Sequence, residues 1–293
     1  MGINFQDVTF KYSNKQQSNT INNLDLNINN ENEFIAILGH TGSGKSTLVQ
    51  LMNSLLIPSS GTVKINDQTV TSNVSKNKQL KFKLIRKHIG LVFQFPEYQL
   101  FEDSVLKDIM FGPKNFGMTK SEAEAKAKEV VKILNIDEEL LDRSPFSLSG
   151  GQMRRVAIAG ILASNPNILI LDEPTVGLDP RGKNELMELL VKIQKETHKS
   201  IIMISHDMNV VAKYATRVIV MKKGDMVYNG PKFELFQDVD KLLSFNLGLP
   251  ESAKIALELK NKGLLEFSYL PLDKDELESL ILKQYGRGEH HEW

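Results

Sequence analysis

Phe34-Ile35-Ala36-Ile37-Leu38 runs directly into Gly39-His40-Thr41-Gly42-Ser43-Gly44-Lys45-Ser46, and this junction decides the fold. Five apolar residues without alternation suit a strand buried on both faces. The next eight fit the pattern G-x-x-x-x-G-K-[ST], and Ser46 to Leu55 has helical spacing, so the loop joins a buried strand to a helix. Glycines there let backbone N–H groups close on phosphate oxygens, and the helix start adds the positive end of its dipole. Lys45 would reach the β- and γ-phosphates, and the Ser46 hydroxyl would ligate Mg²⁺. Gly39, His40, Thr41, Gly42, Ser43, Gly44 and Thr47 complete the expected nucleotide cradle.

Working outward, Ile3 to Tyr12 and Thr20 to Ile28 alternate and are rich in β-branched or aromatic residues, which predicts an antiparallel start. Gly61 to Asp67 and Ile89 to Phe93 read as further strands, joined by a Lys- and Asn-rich stretch that suits solvated loop or frayed helix. Thr119-x-x-Glu122 has the form of a capping box, opening a helix to Leu134. From Pro166 strands alternate with helices: strand Ile168 to Leu171, helix Arg181 to Glu196, strand Ser200 to Ile204, helix Asp207 to Tyr214 and strand Arg217 to Met221. That order implies a parallel sheet covered on both faces. Lys223-Gly224-Asp225 marks a turn, with Met226 to Tyr228 returning as a hairpin partner. After about Val239 the pattern is helical, with Leu277, Leu280 and Ile281 on one face of a small C-terminal cap.

The 293 residues suit one large domain plus a smaller one, and 41% hydrophobic with 25% charged residues is ordinary globular composition. Thirty-six basic residues balance 36 acidic ones, so overall charge recruits neither nucleic acid nor an acidic membrane. The absence of cysteine excludes disulfides, thiol nucleophiles and thiolate metal sites, and suits the cytosol. The longest apolar run, Val156 to Ala163, is too short to span a bilayer, the N-terminus lacks a secretory signal, and Gln6 stands where myristoylation wants Ser or Thr. Glu289-His290-His291-Glu292-Trp293 reads as a frayed tail, because adjacent histidines point apart on helix or strand.

Ile168-Leu169-Ile170-Leu171-Asp172-Glu173 is an apolar strand ending in two carboxylates at the edge where open α/β sheets bind ligands. Asp172 would hold Mg²⁺, and Glu173 would polarise the attacking water as general base. The plainer alternative is a helix cap and a solvated charge. Leu148-Ser149-Gly150-Gly151-Gln152 precedes the helical stretch Met153 to Ala163 and offers a second anion-binding helix start. With His206 after the next strand, these motifs resemble the ATP-binding cassette (ABC) family over roughly residues 3 to 236.

The resemblance implies an α/β fold: a phosphate-loop NTPase core of ABC type, an antiparallel β subdomain, an inserted α-helical subdomain over about 95–165, and a small C-terminal helical domain. It implies that Tyr12 stacks on adenine, with Phe10 a nearby competitor. Gln94 would touch Mg²⁺ and the attacking water, so the expected metal set is Ser46, Gln94 and Asp172. Ser149, Gly150, Gly151 and Gln152 would close on the γ-phosphate held by the opposite protomer, Asp179 would couple the two sites, and His206 would contact the γ-phosphate. Glu173, His206, Gln94 and Lys45 thus form the expected catalytic set, with ATP and Mg²⁺ as cofactors. Both Glu173 and His206 are present, which implies catalytic competence. Head-to-tail protomers would bury ATP between them, hydrolysis reopening the pair.

The stretch between Gln94 and Ser149 exceeds what a compact phosphate-loop sheet needs, and the family places there a groove for a membrane partner. Phe93-Gln94-Phe95-Pro96-Glu97-Tyr98-Gln99-Leu100-Phe101, Phe111-Gly112-Pro113-Lys114-Asn115-Phe116-Gly117 and Asn246-Leu247-Gly248-Leu249-Pro250 resemble the ATPase subunits of energy-coupling factor transporters, most closely the second of two paired ATPases. That implies an ATPase domain over 1–238, a helical dimerisation domain over 239–293, and a peripheral position on the cytoplasmic side of the cell membrane. The implied partners are a non-identical ATPase, an integral membrane coupling protein docking near Gln94, and exchangeable substrate-binding membrane subunits of a vitamin or micronutrient importer. A soluble cassette ATPase acting on nucleic acid or ribosomes is the rival, disfavoured by a single cassette, balanced charge and the lack of a long coiled coil. A nucleotide sensor without turnover and a simple phosphate-loop kinase fit less well.

Overall fold

A computed structural model describes residues 2–13, 18–29, 32–73 and 82–286. In chain order the core elements are β1 (Gly2–Phe10), β2 (Ile21–Asn29), β3 (Phe34–Leu38), α1 (Lys45–Met52), β4 (Ser60–Ile65), β5 (Gln68–Thr71), α2 (Phe82–His88) and β6 (Ile89–Val92). A helical layer follows: α3 (Val105–Asn115), α4 (Lys120–Ile133) and α5 (Gly150–Leu162). The chain then returns to the core through β7 (Ile168–Asp172), α6 (Pro180–Thr197), β8 (Ser200–Ile204), α7 (Met208–Tyr214), β9 (Arg217–Lys222) and β10 (Asp225–Pro231). It ends in α8 (Lys232–Gln237), α9 (Val239–Ser244), α10 (Glu251–Asn261) and α11 (Lys274–Tyr285).

Two sheets result. One is antiparallel in the order β2-β1-β4-β5; the other runs β10-β9-β3-β8-β7-β6, parallel from β9 to β6, with β10 antiparallel at its edge. β3 lies inside the parallel sheet, and all five of its side chains are buried. Ile35 and Ile37 join a cluster with Leu48, Leu51 and the inner face of the antiparallel sheet, whereas Phe34, Ala36 and Leu38 face the opposite side. A strand with two dry faces cannot alternate apolar and polar residues, which is why its sequence does not.

The helical layer shares one continuous apolar cluster with α6 and one face of the parallel sheet, from Val105 and Ala127 through Val156 to Leu190 and Met203. α3 crosses α5 closely at Gly112, where a Cβ would lie 2.5 Å from Ser164 Oγ. The capping box at Thr119 forms as expected: its hydroxyl accepts the Glu122 N–H at 3.3 Å, and the Glu122 carboxylate accepts the Thr119 N–H at 2.7 Å. Beyond β10, Leu242, Leu247 and Leu272 pack against the β9 and α7 edge, and a further small cluster gathers Ala253, Ala256, Leu265, Leu270 and Leu277.

Two elements, β5 and α3, differ from the sequence reading. β5 pairs with β4 through a tight turn and escaped notice because it is only four residues long. The described end of the Lys- and Asn-rich stretch takes the helical of the two expected forms, as α2. α3 was masked by Gly112-Pro113, yet Pro113 stands near its C-terminal end, where the lost backbone donor disturbs little of the helix. Residues 74–81 and the terminal Glu289 to Trp293 lie outside the described residues.

Candidate active site

The phosphate loop is shaped by glycines at positive φ. Gly39 has φ +139°, and a Cβ there would lie 2.2 Å from the Met221 carbonyl oxygen; Gly44, at φ +103°, would meet the Thr20 carbonyl oxygen at 2.7 Å. Both therefore let the loop press against neighbouring backbone. The Lys223-Gly224 turn between β9 and β10 has φ of 52° and 89°, the mirror-image geometry that glycine favours. Gly224 N–H donates to the Ser43 carbonyl at 3.1 Å, so the hairpin braces the loop. The Ser43 hydroxyl is buried and without a hydrogen-bond partner.

Lys45 is buried at the start of α1, and its ammonium donates to the Gly39 and His40 carbonyls at 2.7 and 2.9 Å. Burial lowers its pKa, while the Glu173 and Asp172 carboxylates work to raise it. Ser46 follows, exposed, its hydroxyl bonded to the Asp172 carboxylate. Thr47 Oγ1 lies 3.0 Å from the Tyr12 hydroxyl. Tyr12 is 59% exposed, whereas Phe10 is buried and meets it edge to face, so of the two aromatics Tyr12 is presented beside the loop.

At the carboxyl end of β7, burial is the main influence raising the Asp172 pKa; the Ser46 hydrogen bond lowers it, the Glu173 charge raises it, and Lys45 lowers it. Glu173 has a left-handed backbone at φ +49°, with its N–H donating to the Ile204 carbonyl of β8 at 3.1 Å. A non-glycine residue held there stores strain that the flanking structure must offset. Gln94 Nε2 is 3.5 Å from the Glu173 carboxylate and His206 Nδ1 is 3.6 Å from the same oxygen. Lys45, Ser46, Asp172, Glu173, Gln94 and His206 thus share one edge of the parallel sheet.

The signature residues stand at the start of α5. Ser149 caps α5 and accepts the Gln152 N–H at 3.4 Å, while the Gln152 amide oxygen accepts the Ser149 N–H at 3.0 Å. α5 therefore starts at Gly150, three residues before the expected Met153, because Ser-x-x-Gln is itself a capping box. Gly150 and Gly151 are exposed, with nothing within 4 Å of where a Cβ would stand. Asp179 caps α6 by accepting the Gly182 N–H at 2.8 Å.

Arg154 was missed by sequence reasoning. It is 6% exposed and paired with Glu97 at 3.0 Å, and it donates to the Pro174 and Val176 carbonyls, both at 3.0 Å. No local pattern signals it, since Glu97 and Arg154 meet only through the packing of the helical layer on β7.

The sequence pattern described as ABC transporter matches residues 21–176. The chain is 46% identical over 285 residues to the energy-coupling factor transporter ATP-binding protein EcfA2 of Lactiplantibacillus plantarum, covering 97% of this chain and 95% of that protein. It is 50% identical over 263 residues to the protein of the same name from Ligilactobacillus salivarius, covering 89% and 90% respectively. Among solved structures, cbiO1 of Clostridium perfringens, described as part of the ABC transporter complex cbiONQ, superposes with a TM-score of 0.72 at 36% identity over 89% of this chain and 96% of that one. The ATP-binding cassette MJ0796, a dimer bound to ADP and Pi after hydrolysis, gives 0.67 at 32% identity over 78% and 98%. Phosphate loop, paired carboxylates, signature helix and these likenesses converge: the chain belongs to the ABC transporter family, among the ATP-binding proteins of energy-coupling factor transporters.

Proposed function

We propose that the chain hydrolyses ATP at a shared dimer interface and so powers a membrane importer of vitamins or other micronutrients. The observation that carries this reading is the gathering of Lys45, Ser46, Asp172, Glu173, Gln94 and His206 at one sheet edge, with the signature glycines left open for a second protomer. Lys45 and the loop N–H groups of Gly42 to Ser46 hold the β- and γ-phosphates, and Tyr12 stacks on the base. Glu173 takes a proton from water as its oxygen attacks the γ-phosphorus, and the bond to the β–γ bridging oxygen breaks. Gln94 and His206 orient that water and the γ-phosphate. From the second protomer, Ser149, Gly150, Gly151 and Gln152 cover the same phosphate, and Asp179 reports on it.

Mg²⁺ fits Ser46, Asp172 and Gln94. Among the described residues no cluster of three or more acidic or histidine side chains could hold a metal by itself, which suits an ion that takes one carboxylate and completes its shell with phosphate oxygens. The half-buried Asp172 carboxylate, already bonded to the Ser46 hydroxyl, would be stabilised by a neighbouring cation. Held by Ser46, Asp172 and Gln94, the ion would supply positive charge against the phosphate.

Phe95, Tyr98, Phe101 and Phe111 are exposed beside Gln94, an aromatic patch suited to an integral membrane coupling protein. Among the described residues no helix is long and apolar enough to cross a membrane, so the transport path belongs to partners. We place the chain at the cytoplasmic face of the cell membrane with a non-identical ATPase and exchangeable substrate-binding subunits. Residues 1–238 form the ATPase domain and 239–293 the dimerisation domain. A pull-down of the tagged full chain from detergent-solubilised membranes tests this. Recovery of a second cassette ATPase and an integral membrane protein is expected; recovery of only ribosomes or nucleic acid would overturn it.

A further inference from the structure

Arg154 and Glu97 occupy a position that neither binding nor chemistry requires. Arg154 stands one turn into α5, directly behind the signature. Glu97 stands on a single helical turn, Pro96–Gln99, that begins two residues after Gln94. The guanidinium meets the carboxylate twice, Nε to Oε2 at 3.2 Å and Nη2 to Oε1 at 3.0 Å. Its Nη1 reaches in the opposite direction, to the carbonyls of Pro174 and Val176 at 3.0 Å each. Pro174 follows Glu173 directly, and Val176 precedes the Gly177-Leu178-Asp179 loop. One side chain therefore ties together the signature helix, the turn after Gln94, and the segment that runs from Glu173 to Asp179.

The ends of that segment are held by the Glu173 N–H on the Ile204 carbonyl and by the Asp179 cap on α6, and Leu178 packs against the core. The segment's own bonds are two short turns, Val176 N–H to the Glu173 carbonyl at 3.2 Å and Leu178 N–H to the Thr175 carbonyl at 3.3 Å. A second contact comes from the same turn as Glu97: the Phe95 ring lies over Gly177, where a Cβ would be 3.7 Å from its Cε1. The turn faces two ways. Glu97 points inward with its side chain 15% exposed, while Tyr98 beside it is 85% exposed. Pressure on the exposed aromatic patch thus acts on the turn that holds Arg154, and Arg154 acts on the backbone on either side of the strained Glu173. A planar guanidinium is suited to this because it presents several fixed donors at once, which an ammonium does not.

We infer that Arg154, anchored by Glu97, is a positioning residue that transmits occupancy of the groove beside Gln94 to Glu173 and Asp179. This rests on the catalytic reading of Glu173 above. Nucleotide is held by other groups, so loosening the link lowers kcat and leaves the KM for ATP nearly unchanged. Glu97 and Arg154 act as one unit, so their effects do not multiply.

The test uses the tagged full chain, both alone and with the membrane subunits that co-purify with it, carrying Glu97→Gln, Arg154→Lys, or both. Each single variant is expected to lower kcat about tenfold with KM for ATP within about twofold, and the double variant to be no worse than the worse single. Stimulation of hydrolysis by the membrane subunits is expected to fall toward one. A Glu97→Gln variant with wild-type kcat and stimulation overturns the inference, as do multiplied effects or a loss that merely follows the folded fraction in a melting curve. If Arg154→Lys does not fold, the near-isosteric Glu97→Gln decides alone by the same readouts. Glu173→Gln run in parallel separates the two readings: turnover retained there defeats the catalytic assignment, whereas turnover lost there but unaffected in Glu97→Gln defeats only the link.

Discussion

Replacing Gly150 by alanine sets stability against turnover. Gly150 is the first residue of α5, its φ is not positive, and a Cβ there meets nothing within 4 Å of this chain. Alanine removes backbone freedom from the unfolded chain without strain in the folded one, which stabilises by about 0.4–1 kcal/mol. For a domain of this size that is a rise in melting temperature of roughly 1–3 °C. Within one protomer the substitution is therefore harmless or better. Across the proposed dimer interface it would place a methyl group where backbone N–H groups approach the γ-phosphate, and losing one such donor costs about 10²–10³ in rate. Gly150→Ala is thus expected to melt slightly higher than wild type and to hydrolyse ATP about a hundredfold more slowly, by differential scanning fluorimetry and phosphate release on the same sample. A lower melting temperature, or turnover within threefold of wild type, would show that the glycine serves its own chain and not a partner's nucleotide.

Glu173→Gln keeps the shape and hydrogen-bonding reach of the side chain, so ATP binding by equilibrium titration should stay within a few-fold while kcat falls by about 10²–10⁴, the contribution of a general base; a loss of under tenfold would remove Glu173 from that role. Asp172→Asn should raise the melting temperature at pH 7 without nucleotide and lose Mg²⁺-dependent turnover. The sign follows from burial: the Asp172 pKa is raised in the fold, so its contribution is favourable below its unfolded pKa and is lost as pH rises through the folded one. The gain from asparagine should therefore vanish on acidification below the usual carboxylate range, and a gain independent of pH would contradict this. Thr119→Ala removes a cap far from the site and should cost about 1 kcal/mol in urea unfolding with kcat unchanged; an activity loss would reveal an unsuspected coupling of α4 to catalysis.

Much of the site is written locally. The buried strand, the glycine-rich loop and the lysine that starts α1 are contiguous, and so are the apolar strand and the Asp172-Glu173 pair at its end. Short-range patterns of this kind survive because the backbone itself makes the site: glycines supply positive φ, and a helix start supplies N–H groups. The Thr119 capping box was legible for the same reason. The Ser149-Gln152 box was equally legible yet was passed over, because both residues were assigned to nucleotide alone. α3 hid behind Gly112-Pro113, since its glycine answers to a helix crossing with Ser164 and not to a turn.

The sequence by itself determined the phosphate loop, the alternation of strands and helices after Pro166, and which side chains could carry the chemistry, because each is a local pattern of neighbouring residues. Only the tertiary structure decided which of these groups meet. It set Gln94 and His206 on one oxygen of Glu173, presented Tyr12 rather than Phe10 beside the loop, and buried Arg154 against Glu97 and two carbonyls. Those contacts join residues from 20 to 79 positions apart, and nothing in the local pattern of either partner requires the other. They exist because the helical layer and the parallel sheet bury one shared apolar cluster, and burial fixes the register between segments that share no local signal.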